Sequence, residues 1–101
     1  MDSVGAFIEY LEFEKKYSKH TLTAYQKDID DFADFLKNNQ VDHLEAVTHP
    51  MVRQWLGKLS KDGLTNRSMN RKLSALRAFY KFLMKTGTIS ENPMLPQKSL
   101  K

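Results

Sequence analysis

The side chains best suited to chemistry in this chain are basic residues that recur along one stretch. Residues 63–90 contain six Lys or Arg residues and no Asp or Glu. If residues 66–86 form one helix, at about 100° per residue, basic and small polar side chains share one face and apolar side chains share the other. The polar face comprises Arg67, Asn70, Arg71, Ser74, Arg77, Lys81 and Lys85, and the apolar face comprises Met69, Leu73, Leu76, Tyr80 and Leu83. Such a helix can pack on a core with one side and meet a polyanion with the other.

The chemistry of the polar face favours nucleic acid over an ordinary solvated surface, which is the alternative. Because the stretch has no acidic residue, it lacks the i,i+4 ion pairs that exposed helices commonly use. Arginine supplies most of the charge in the first half of the helix, and its guanidinium group suits phosphate and guanine bidentately. Asn70 and Ser74 add short polar groups able to reach bases or phosphates. We therefore predict that this helix contacts duplex DNA.

A second, weaker contact is predicted where another helix begins. His20, Thr21 and Lys27 follow Ser18, and a helix N terminus offers free N–H groups and the positive end of a dipole. Four aspartates between residues 28 and 34 come next, and we interpret them as a solvated acidic face that would repel DNA. The predicted DNA-binding residues are His20, Thr21, Lys27, Arg67, Asn70, Arg71, Ser74, Arg77 and Lys81.

Charge is segregated along the 101 residues, whose formal net charge is +4. Residues 1–62 hold 8 Lys/Arg and 11 Asp/Glu, whereas residues 63–101 hold 8 and 1. A polyanion partner explains this segregation better than solubility does. The chain has no cysteine, and its three histidines lack metal-ligand spacing, so we predict no disulfide, no metal site and no cofactor. Without a glycine-rich phosphate loop or an activated nucleophile, we predict no catalytic residue.

Periodicity predicts four amphipathic helices and no strand, at about residues 3–16, 18–38, 51–60 and 66–86. Ser18 and Thr65 are the expected N-caps, and Pro50 suits a first helical turn. The predicted fold class is all-α, a small bundle of four helices formed by a domain of residues 1–91. Residues 92–101, with two prolines and no periodicity, are predicted to be a linker. With no signal peptide and no membrane span, a cytoplasmic location without a membrane partner is expected.

The order of motifs resembles that of one protein family. Residues 7–29 read FIEYLEFEKKYSKHTLTAYQKDI, and residues 63–65 (GLT) and 68–83 (SMNRKLSALRAFYKFL) form the second part of the pattern. Further matches are Phe32, Phe35 and Leu36 after the first part, and Gly87, Ile89, Asn92 and Pro93 after the second. About residues 4–96 are therefore similar to the N-terminal core-binding (SAM-like) domain of tyrosine recombinases, of the Xer or phage-integrase type.

This resemblance implies a four-helix domain that clamps one side of duplex DNA, opposite a C-terminal catalytic domain. Its second and fourth helices would face the major groove, which assigns DNA contact to the same residues as the charge pattern does. The catalytic arginines, histidines and tyrosine nucleophile of the family belong to the C-terminal domain. We therefore expect this chain to bind DNA without cutting it. Its other expected partners are that catalytic domain and neighbouring recombinase protomers, and the isolated domain is expected to be monomeric.

Two other functions remain open at this point. A protein-interaction bundle could use Phe79, Phe82 or the surface of the first helix to hold a protomer or an acidic partner. A stand-alone helix-turn-helix regulator could use the connection between the third and fourth helices. Its recognition helix would be unusually long, however, and no dimerisation segment is evident.

Overall fold

The computed structural model describes residues 2–97 and residue 100, and these residues contain four α-helices and no strand. The helices are α1 (Ser3–Phe13), α2 (Lys19–Asn38), α3 (His49–Lys61) and α4 (Asn66–Lys85). The predicted all-α class and four-helix bundle are therefore confirmed. None of the helices in the described part of the chain is long and apolar enough to cross a membrane.

Side-chain caps fix where α2 and α4 begin. The hydroxyl of Ser18 accepts a hydrogen bond from the backbone N–H of Thr21 at 3.3 Å, and the hydroxyl of Thr65 accepts one from Ser68 at 3.2 Å. Each bond satisfies a donor that has no partner within its helix. Both predicted N-caps are therefore confirmed.

Two helix boundaries differ from the prediction. Helix α1 ends at Phe13 instead of Lys16, because Lys16 adopts left-handed backbone (φ 58°) and turns the chain towards α2. Helix α3 starts at His49, two residues before the predicted start, and has Pro50 in its first turn. Proline is compatible with this position because the N–H that it lacks would have no partner there.

A short 3₁₀ helix (Leu44–Ala46), which periodicity did not predict, lies between α2 and α3. The phenol of Tyr80, on α4, donates a hydrogen bond to the carbonyl oxygen of Leu44 at 2.8 Å. Burial, and to a lesser extent the charge of Glu45, raises the pKa of Tyr80, so the phenol stays a neutral donor. This bond ties the connection to the buried side of α4.

The core forms where α4 meets the other three helices. The predicted apolar face of α4 is buried throughout, and Phe79 is buried with it. The ring of Phe7 on α1 packs edge-on against Phe79 with the centroids 5.4 Å apart, and Phe32 on α2 packs against Trp55 on α3 at 4.9 Å. Aromatic contacts of this kind bury large areas in defined orientations. Packing on one side therefore leaves the polar face of α4 directed outward.

Packing continues past the last helix. Met94 is buried in the core, Pro93 is buried beside it, and the side-chain oxygen of Asn92 accepts the N–H of Met94 at 2.8 Å. The domain boundary at residue 91 and the linker role of residues 92–101 remain predictions, although the apolar core extends beyond that boundary. Residues 1, 98, 99 and 101, which belong to these two predictions, lie outside the described part of the chain.

Candidate nucleic-acid interface

The polar face of α4 presents exposed cations along most of its length. Arg67, Arg71, Lys81 and Lys85 are exposed, together with Ser74. Arg67 and Lys81 make no hydrogen bond or ion pair with any other residue among 2–97 and 100. Their charge is therefore not neutralised by the described part of the fold, and it is accessible to a ligand.

Asp28, on α2, contacts this face from one side. Its side chain is 1% exposed, and its Oδ1 atom accepts hydrogen bonds from Arg71 Nη2 at 3.0 Å and from Lys72 Nζ at 3.1 Å. Lys72 Nζ also donates to Asp31 Oδ2 at 3.0 Å. A buried carboxylate is tolerated when cations replace its lost water. The interpretation of the aspartates as a solvated acidic face is therefore wrong for Asp28.

This cluster changes the amount of charge that α4 can offer to a ligand. Lys72 is buried, and its ammonium group is paired with Asp28 and Asp31. Its charge therefore stabilises the fold and is not accessible to a ligand. Arg71 keeps 59% of its side chain exposed although it is paired with Asp28. Its guanidinium group is therefore both accessible and held in place from α2.

The C-terminal residues lie along the other side of the face. Asn70 Nδ2 donates to the carbonyl oxygen of Leu100 at 2.7 Å, and the N–H of Leu100 donates to Asn70 Oδ1 at 2.8 Å. Arg77 Nη2 donates to the carbonyl oxygen of Gln97 at 3.2 Å. Two of the residues predicted to bind DNA thus already bind the backbone of the chain itself.

The three residues predicted on α2 lie in its first turns. His20 and Lys27 are exposed, whereas Thr21 is half-buried, and its hydroxyl lies 3.1 Å from that of the capping residue Ser18. Spacings of seven and four residues place His20, Lys27 and Asp31 on one face of α2. Because Asp31 contacts Lys72, this face of α2 lies next to α4. The two predicted groups therefore lie on helices that pack against each other.

Asp28 is a residue that the sequence interpretation assigned to the wrong environment. A signal was present, since Asp28 stands three residues after Tyr25 and four before Phe32, within the apolar stripe of α2. Lys72 carries the corresponding signal on α4, between Met69 and Leu76. Opposite charges inside two apolar stripes indicate an ion pair between helices, because neither charge could be buried alone.

The carboxylate of Asp30, on α2, is repelled by neighbouring acidic side chains. Burial, followed by the charges of Asp34, Asp31 and Asp2, raises the pKa of the Asp30 carboxyl. A carboxyl whose pKa is higher in the folded state favours folding less once it is ionised. Asp30→Asn should therefore raise the melting temperature slightly at pH 7, and the gain should vanish below about pH 3, where the wild-type carboxyl is protonated. Circular dichroism melts at both pH values measure this, and an equal gain at both would contradict the assignment.

Comparison with known proteins identifies the class to which this arrangement belongs. Residues 4–87 match the family described as the phage integrase, N-terminal SAM-like domain. Because the match covers most of the chain, the chain belongs to this family, as its motifs predicted. The family is the N-terminal domain of tyrosine recombinases, so the chain contains that domain and not the catalytic domain.

Two relatives that show the similarity in detail are both named tyrosine recombinase XerC. The chain is 47% identical over 89 residues to tyrosine recombinase XerC of Bacillus licheniformis, an alignment that covers 88% of this chain and 29% of that protein. It is 41% identical over 103 residues to the protein of that name from Anoxybacillus flavithermus, covering 98% and 34% respectively. The chain thus spans about a third of the length of the curated relatives it matches. No solved structure gave a significant match.

Proposed function

We propose that this chain is the DNA-binding domain of a site-specific tyrosine recombinase and that it holds duplex DNA through α2 and α4. DNA integration and recombination would be carried out by the whole protein, whose separate catalytic domain cuts and rejoins the strands. The observation that carries the proposal is the row of exposed cations on α4, a helix without any acidic residue. The recombinase relatives support the same function.

The length of α4 suits a major groove. Arg67 and Lys81 are 14 residues apart, which corresponds to about 21 Å along a helix axis. The major groove is about 12 Å wide, so these two side chains can reach the phosphates on both of its sides. Arg71 and Ser74 lie between them, where side chains reach base edges. Arg71 would bind guanine or a nearby phosphate, since its guanidinium group is already oriented by Asp28.

Helix α2 would add a phosphate contact at its N terminus. The unpaired N–H groups of a first turn and the positive end of the helix dipole attract anions. His20 and Lys27 are exposed on the face of α2 that lies next to α4, so they can approach the same duplex. Thr21 is the weakest of the three candidates, because its N–H is bonded to the cap at Ser18.

A groove between α1 and α4 favours the second candidate function, contact with a neighbouring protomer or an acidic partner. Tyr10 and Phe82 line the groove, and the ammonium group of Lys85 lies 5.2 Å from the ring centroid of Tyr10. The side chain of Phe13, which follows on α1, is 65% exposed. Apolar surface of this kind commonly marks protein contacts. Phe79 cannot contribute to it, because it is fully buried.

An NMR titration of the labelled chain with a duplex of about two helical turns tests the proposal. At about 50 mM salt we expect amide shifts confined to residues 18–27 and 66–81. At about 200 mM salt they should weaken sharply, since log K falls by about 0.9 per log unit of salt for each phosphate contact. Shifts confined to the groove around Tyr10 and Phe82 would contradict the DNA proposal and favour the second candidate.

A further inference from the structure

We propose that the flank of α4 formed by Asn70 and Arg77 is the docking site of the chain's own C-terminal segment. In this proposal the two side chains anchor that segment and do not contact DNA. The segment, residues 92–97 and 100, is called the strap below. The statement about DNA rests on the proposed function, whereas the statement about anchoring does not.

The contact between Asn70 and Leu100 carries the proposal furthest. One carboxamide both donates to and accepts from the backbone of one residue, at 2.7 and 2.8 Å. This reproduces the pair of hydrogen bonds that opposed residues exchange in antiparallel strands, and it satisfies both polar groups of that residue. A carboxamide used in this way cannot also bind adenine through its oxygen and nitrogen, which is how Asn usually reads a base. Asn70 is therefore assigned to the strap.

Arg77 supplies a second anchor on the same side of α4. It follows Asn70 by seven residues, or two helical turns, and it binds the carbonyl oxygen of Gln97. The earlier residue of α4 thus binds the later residue of the strap, so the strap and α4 run in opposite directions. Arg77 is also less exposed than Arg67 and Arg71, as expected for a side chain covered by the strap.

The core fixes the other end of the strap. Met94 is buried among the apolar side chains of the bundle, and its carbonyl oxygen accepts the N–H of Gln97 at 3.0 Å. Apolar burial supplies the attachment, and the directional bonds from α4 set the path. The chain therefore leaves the domain beside the exposed cations of α4. A fixed exit point beside the duplex would raise the effective concentration of any following domain near that duplex.

Amide hydrogen exchange in the absence of DNA tests the anchoring. Asn70→Ala should speed exchange of the Leu100 N–H by about fivefold to tenfold, as expected for the removal of a hydrogen bond of ordinary strength. Asn70→Asp keeps the acceptor but replaces the donor with a carboxylate oxygen that would face the carbonyl oxygen of Leu100, so it should also speed the exchange. Ser74→Ala is the matched control, since Ser74 is exposed on the same helix and its hydroxyl bonds only the carbonyl oxygen of Asn70 among the described residues. It should leave the exchange unchanged.

Duplex affinity, measured on the same variants, tests the statement about DNA. Asn70→Ala should bind within about twofold of the wild type, because the variant keeps every side chain proposed to touch a base or a phosphate. Exchange at Leu100 that is equally fast in the wild type and in Asn70→Ala would overturn the anchoring. A drop in affinity as large as that of Arg67→Ala, with unchanged exchange, would overturn the assignment of Asn70. If the wild type bound no duplex while Asn70 still protected Leu100, the proposed function would fail and the anchoring would stand.

Discussion

Reversing two charges on α4, with Arg67→Glu and Lys81→Glu together, should abolish measurable duplex binding at about 0.15 M salt. Both side chains are exposed and have no partner in the described part of the chain, so their reversal should leave the fold intact. Neutral versions of the same changes should reduce the slope of log K against log salt by about 0.9 for each phosphate that the protein no longer neutralises. Fluorescence anisotropy with a labelled duplex over a salt series measures affinity and slope together.

A matched charge change elsewhere separates a local effect from a general one. Arg53→Glu with Lys37→Glu alters the net charge by the same amount and also replaces one arginine and one lysine. Arg53 is exposed on α3, and Lys37 is exposed at the end of α2 distant from His20. Because long-range effects between exposed charges are screened at this salt, the control should bind almost as well as the wild type. Equal reductions in affinity in both variants would show that binding follows net charge, and α4 would lose its special role.

Removing the carboxylate of Asp28 should have the largest effect on stability. Asp28→Ala leaves the buried ammonium group of Lys72 with one aspartate instead of two, and it removes the carboxylate that holds Arg71 from α2. Breaking a buried ion pair from one side typically costs about 3 kcal/mol of unfolding free energy. That is a large part of the stability of a small domain. Urea denaturation followed by circular dichroism measures it.

The double variant Asp28→Leu with Lys72→Met distinguishes a charge effect from a packing effect. It removes both buried charges and keeps apolar volume at the helix contact, so its stability should return to within about 1 kcal/mol of the wild type. Asp34→Ala, at an exposed position on the same helix, should change stability by less than about 0.5 kcal/mol. A double variant as unstable as Asp28→Ala would mean that the shape of the aspartate matters more than its charge.

The features that the sequence predicted well are those encoded within one helix. The caps at Ser18 and Thr65 require only a hydroxyl and an N–H three residues later. The buried face of α4 follows from its 3.6-residue period. For the same reason, the exposure of Arg67 and Lys81 agrees with the predicted polar face, while their contact with DNA remains a prediction.

The features that the sequence did not predict depend on contacts between distant residues. Lys72 and Asp28 are 44 positions apart. Each interrupts an apolar stripe, but only the packing of α2 on α4 brings the two together, so the charges of α4 looked unopposed. The strap was also missed, because its contacts with α4 are made to backbone atoms of Gln97 and Leu100. Backbone groups are the same in every sequence, and two prolines without periodicity look the same in a linker as in a docked segment.

The shared carboxylate of Asp28 has a consequence for redesign of this domain. Position 71 touches both the proposed DNA face and a buried ion pair, so a library that varies it would select for foldability and target choice at the same time. Positions 67, 74 and 81 are exposed and make no ion pair within residues 2–97 and 100. Retargeting should therefore begin at those three positions, where a new side chain can be judged by its DNA preference alone.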